Sequence, residues 1–213
     1  IELMPSEENK RTNAGKFLII LLAAVSAIGP LSTDMYLPAF PQICTDLGTS
    51  ASYIQFTLTA WLIGLACGQV ITGPLSDVFG RKKPLVAGII IFTITTASCA
   101  FVESIKIFIL LRLIGGFAAA AALVVSKAIA SDLYEGSLLT KFLSTVMVIQ
   151  GLAPILAPVI GGQLLVFFTW RSVFTLLTII GAVIALLGIF RYKESLLPEN
   201  RIDAHIMTVL KVF

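Results

Sequence analysis

Six long apolar runs divide the chain, and short polar stretches separate them. About 20 consecutive apolar residues suffice to cross a hydrocarbon core as a helix. The runs therefore predict transmembrane helices over 17–38, 53–75, 84–102, 107–130, 142–168 and 172–190. The polar stretches differ in charge. Lys10, Arg11 and Lys16 precede the first run, and Arg81, Lys82 and Lys83 follow the second. Lys141 follows the fourth, and Arg191, Lys193, Arg201 and Lys211 follow the sixth. The alternate gaps hold only Lys106 and Arg171. Such a Lys/Arg bias sets orientation in a membrane. Both termini and the stretch 73–83 are thus expected on the cytoplasmic side. The fold class is an all-α membrane protein with six transmembrane helices. A cytoplasmic tail is expected at 1–16, the bundle at 17–191 and a cytoplasmic segment at 192–213.

Composition narrows the function. The chain is 57% hydrophobic and 13% charged, against about 25% charged in soluble domains. Its net charge of +3 is small and spread over loops, so no nucleic-acid surface is expected. Cys44, Cys67 and Cys99 show no CxxC spacing, which argues against a disulfide framework or a metal site. His205 is the single histidine and cannot build a metal site alone. No GxSxG, HExxH, phosphate-loop or dinucleotide pattern occurs, so no catalytic residue, metal or cofactor is expected. The first run is too long for a cleavable leader.

Polar residues inside or between the runs are the candidates for function. The stretch 73–83 is punctuated by Gly73-Pro74 and Gly80 and charged at Asp77, Arg81, Lys82 and Lys83. Gly73-Pro74 is expected to end the second helix, Gly80 to permit a tight reversal, and Pro84 to open the third helix. Asp34 falls in the outer half of the first span. An intramembrane carboxylate is costly and by default faces a wet cavity or the bundle interior; a helix-end carboxylate at the interface is the other reading. Arg112, in the fourth span, lies at similar depth. It can pair with Asp34, share a bound group with it, or snorkel outward. Gln150 and Gln163 serve either as helix–helix contacts or as cavity lining, and Tyr36 is a further lining candidate. Lys127 sits near the inner end of the fourth span, where snorkelling explains it. Asp132 can meet Arg81 or Lys82 across the inner surface. Pro154, Pro158 and Gly161-Gly162 predict a kinked, closely packed fifth helix, because proline removes a backbone donor.

Gly73, Leu75, Asp77, Gly80, Arg81 and Lys82 together resemble the Gly-x-Leu-x-Asp-x-x-Gly-Arg-Lys loop of the major facilitator superfamily. Other stretches resemble its Bcr/CflA group of drug-resistance transporters. They are 31–39 around Asp34, 110–116 around Arg112, 128–134 with Asp132, 151–162 with both prolines, Trp170-Arg171, and Glu194-Ser195-Leu196. Ala153 and Ala157 stand where the antiporter motif usually has glycine, and Lys127 and Ser131 where the exit motif often has arginine. The resemblance covers 16–200 and implies one half of a twelve-helix fold. It implies drug:proton antiport by alternating access in the cytoplasmic membrane, powered by a proton gradient with no cofactor. Asp34 and Arg112 would couple the proton, and Tyr36, Gln150 and Gln163 would line the cavity. Gly73, Asp77, Gly80, Arg81, Lys82 and Asp132 would form a cytoplasmic latch, and Pro154, Pro158, Gly161 and Gly162 a hinge. The implied partners are small amphipathic drug-like molecules, protons, the bilayer, and a second six-helix half or second copy. A transport-inactive fragment with a purely structural fold is the alternative.

Overall fold

A computed structural model describes residues 7–192 and 194–196, with side chains from Leu18 onward. His205 and most of the segment 192–213 lie outside the described residues. The chain forms α1 (Glu7–Asp34), a 3-10 turn (Leu37–Ala39), α2 (Phe40–Asp46), α3 (Ala51–Phe79), α4 (Lys82–Cys99), α5 (Ile105–Leu133), α6 (Gly136–Phe167) and α7 (Arg171–Arg191). Six of these elements, counting α1 with its extension through α2 as one, are long and apolar enough to cross a membrane.

Several boundaries differ from the expectation. α3 runs through Gly73-Pro74 and stops at Phe79. Pro74 is half-buried, and proline is tolerated inside membrane helices; it leaves the Val70 carbonyl without its i+4 donor, and one turn on Ser76 Oγ donates to the Gly73 carbonyl at 2.8 Å. The reversal falls at Gly80, whose φ of +86° suits a residue without Cβ. Pro84 lies in the first turn of α4, which opens two residues earlier at Lys82. The expected loops at 41–50 and 131–141 are largely helical. Likewise α6 stays an unbroken helix through Pro154 and Pro158.

Packing follows small residues. Without a hydrophobic force between helices in lipid, close backbone approach decides which pair. Gly64 of α3 faces the Leu113 carbonyl of α5, and Gly116 of α5 faces the Trp61 carbonyl of α3. A Cβ at Gly68 would stand 2.5 Å from the Phe117 carbonyl oxygen. Gly64 and Gly68 therefore meet Leu113, Phe117 and Ala120 of α5. On α5's other side, Ala121 takes the space beside Gly88 of α4. α4 then packs on α7, and α7 and α6 both pack on α1. Two buried clusters result. One gathers Leu22, Trp61, Ile89, Phe92, Ile129 and Phe142; the other gathers Met35, Tyr36, Phe108, Trp170 and Phe174. Arg112 lies between them, in contact with both.

Candidate functional site

Arg112 is 2% exposed. Its Nη1 donates to Ser32 Oγ and its Nη2 to the Ser32 carbonyl, both at 2.9 Å. Its Cζ sits 4.5 Å from the Tyr36 ring centroid and 4.3 Å from that of Trp61. A desolvated guanidinium between two aromatic faces is stabilised by their quadrupoles. Arg112 Nε and the indole N–H of Trp61 have no hydrogen-bond partner among the described residues. Ser32 and Trp61 were not legible as site residues. Ser32 lies two positions before Asp34, but Trp61 sits in an apolar run with nothing to mark it.

Asp34 does not pair with Arg112. Two residues of α-helix turn about 200°, so Asp34 leaves α1 on a different face from Ser32. It lines a recess of about 260 Å³ together with Gly29, Pro30, Thr33, Leu65, Leu123, Gln150 and Pro154. Asp34 is the one ionisable residue among the described residues of that lining, and Gln150 lines it from α6. Tyr36 and Gln163, expected beside them, lie elsewhere. Tyr36 follows the end of α1, and its fully buried ring packs against Phe40, Phe108 and Phe174; its hydroxyl is 3.1 Å from Thr57 Oγ1. Gln163 is roughly 20 Å along α6 from Gln150 at 1.5 Å per residue. There it borders a separate apolar groove with Val159, Ile160 and Phe167. At the hinge candidates, Gly161 meets the Met35 carbonyl directly, while Gly162 has open space.

The reversal after α3 builds an ionic cluster. Arg81 Nη1 donates to Asp77 Oδ1 at 2.5 Å and to Ser76 Oγ at 2.7 Å. Its Nε donates to Asp132 Oδ2 on α5 at 2.8 Å. Burial works against the charged guanidinium, but the bonds to Asp132 and Asp77 outweigh it, so its pKa rises above the ordinary arginine value. Glu194 closes the cluster. It accepts from the backbone N–H of Arg81 at 2.8 Å and of Lys82 at 3.2 Å, where the positive end of α4 favours a carboxylate. In return, Lys82 Nζ donates to the Ile189 carbonyl near the end of α7 at 3.0 Å, so Asp132 meets Arg81 and not Lys82. The Tyr192 phenol, 2.8 Å from Ser195, is pushed up to about 12 by burial and stays protonated at neutral pH. Glu194 carries the capping role here, although the sequence marked it only as part of a terminal motif.

A second clamp joins the opposite ends. Asp46 of α2 accepts from Trp170 Nε1 at 2.9 Å and forms an ion pair with Arg171. Gln42 Oε1 accepts from the Trp170 backbone N–H at 2.7 Å.

The model of the Major Facilitator Superfamily matches residues 22–207. The chain belongs to this superfamily. It is 45% identical over 196 residues to an uncharacterised transporter of this type, YdgK of Bacillus subtilis, covering 91% of the chain and 49% of the relative. It is 36% identical over 195 residues to a bicyclomycin resistance protein homolog of Haemophilus influenzae, covering 92% and 49%. A crystal structure of a D-xylose-proton symporter superposes with a TM-score of 0.74 at 17% identity, over 91% of this chain and 51% of that one. This likeness shows the fold: an all-helical bundle, one half of a major facilitator. The chain spans about half the length of the curated relatives it matches. The family and these neighbours are transporters, and the chain is a multi-pass membrane protein of a group with drug-resistance members.

Proposed function

We propose that the chain is the amino-terminal half of a proton-coupled exporter of amphipathic drug-like molecules. It acts in the cytoplasmic membrane with both termini inside. The observation that carries this reading is the recess between apolar helices in which Asp34 is the sole ionisable lining residue among the described residues, together with Gln150 and Pro154. A carboxylate set among apolar walls binds a proton or a cationic ligand in turn, because each neutralises it and desolvation penalises the bare charge. Competition between the two at one carboxylate is the elementary step of antiport: proton entry releases the drug, and drug entry releases the proton. Arg112, buried beyond Ser32, holds the end of α1 in place and sets the field at Asp34. The Asp77–Arg81–Asp132 cluster latches the inner ends of α3 and α5 while the two halves rock about the central site. The resistance activity in the name of the Haemophilus relative supports a drug as cargo. The second six-helix half, or a second copy, completes the cavity.

The test uses inverted membrane vesicles holding the full-length protein, with ethidium and bicyclomycin as probes. Asp34→Asn keeps side-chain size and loses titration. Energised transport falls at least about tenfold with unchanged abundance, and nigericin, which collapses the pH gradient, abolishes wild-type transport. Full transport by the Asn variant refutes the role given to Asp34.

A further inference from the structure

Lys127 is exposed and its ammonium has no hydrogen bond or ion pair among the described residues, although it lies within the membrane-spanning length of α5; its backbone carbonyl accepts from Ser131 Oγ. An unpaired charge there is costly and calls for a partner or a wet surface. Its place on α5 gives the direction. Leu123 lines the Asp34 recess, and Lys127 is four residues on, so the two share one face. Four residues at 1.5 Å set Lys127 about 6 Å from Leu123 along the axis, toward the end that carries Asp132. The flexible stem of lysine lets the ammonium reach back along that face. The other charged residues of α5 are committed or remote: Arg112 to Ser32, Asp132 to Arg81, and Lys106 at the far end. The charges of α3, α4, α6 and α7, namely Asp77, Lys82, Lys83, Lys141, Arg171 and Arg191, all lie near their helix ends.

The recess thus has a carboxylate at Asp34 and an amide at Gln150 in its lining, and Lys127, outside that lining, stands one helical turn beyond Leu123. We propose that Lys127 is a specificity-determining residue that binds an anionic group of the transported molecule. The site thereby favours zwitterionic amphiphiles, with a cationic end at Asp34, an apolar body against Pro30, Leu65 and Pro154, and a carboxylate or similar anion at Lys127. This rests on the export reading above for the identity of the recess. Leucine or methionine at this position would serve a lipid-facing helix better, since either removes the charge. Snorkelling to the interface is the competing role, and it makes no distinction between ligands.

The experiment measures transport by the full-length protein of one fluoroquinolone, a zwitterion, and of its methyl ester, in which a methyl group replaces the carboxylate charge. Lys127→Met raises KM for the acid about tenfold, the effect of losing one charge-assisted hydrogen bond. It leaves KM for the ester within about twofold, and Lys127→Arg restores the acid. Equal losses for both compounds, no loss for either, or a wild type that does not favour the acid each overturn the proposal. Asp34→Asn is run alongside. If it spares transport of both compounds, the export reading of the recess fails, whatever Lys127 does.

Discussion

Gly161 and Gly162 are neighbours on one helix, yet alanine has opposite effects at the two. At Gly161 an added Cβ lands on the Met35 backbone carbonyl, where the end of α1 crosses α6. A carbonyl held in a turn cannot rotate aside as a side chain can, so the two helices must part. Forcing one methyl into a close-packed contact costs about 1–3 kcal/mol, and a backbone neighbour places this case toward the upper end. At Gly162 nothing lies within 4 Å, so alanine keeps its helix-propensity advantage of up to about 1 kcal/mol. The two variants are therefore expected to differ by about 2–4 kcal/mol. For a chain of this size that corresponds to melting temperatures about 5 °C or more apart. Cys99, 2% exposed, reports unfolding through a thiol-reactive dye once Cys44 and Cys67 are replaced by serine. If Gly161→Ala melts with Gly162→Ala, the α1–α6 crossing is not the backbone contact described, and the reasoning fails.

Three further outcomes are expected. Glu194→Ala uncaps α4 at a cost of about 1 kcal/mol, so hydrogen exchange at the Arg81 and Lys82 amides speeds up about fivefold; unchanged exchange removes Glu194 from the latch. Asp46→Ala leaves the Trp170 indole and Arg171 without their carboxylate, costs about 1–2 kcal/mol, and shifts Trp170 emission in a Trp61→Phe background; a static spectrum argues against the clamp. In a cysteine-free full-length protein, single cysteines at Ser50 and Thr169 react with an impermeant thiol reagent from outside intact cells. One at Lys82 does not, and labelling there inverts the topology.

The six spans were legible because hydropathy is a local property, and each run carries its own signal. Their ends were less so. Gly73-Pro74 reads as a stop, yet α3 continues to Phe79, about one and a half turns further, because a proline inside a membrane helix need not end it. The ionic cluster was half legible: Asp77, Arg81 and Asp132 are charges at adjacent helix ends, where topology alone brings them together. Glu194 needed a contact across 113 residues, which no local pattern encodes. At the recess, Asp34, Gln150 and Pro154 stand out against apolar surroundings, but Leu65 and Leu123 look like any other lipid-span leucine. The pairing expected for Asp34 and Arg112 took no account of azimuth. Ser32 faces Arg112, and Asp34, two residues later, cannot share that face.

The exchange of charges between α4 and α7 also has a direction in time. A ribosome adds about 5–20 residues per second, so Glu194, 113 residues after Arg81, is made roughly 6–23 s later. For that interval the start of α4 must rely on water for its amide protons, and Lys82 has no helix end to hold. When α7 arrives, both ends are satisfied in one step by groups delivered last. This end of the bundle therefore closes only once the sixth span is in place, and a nascent chain stalled before that point leaves the first α4 amides bare.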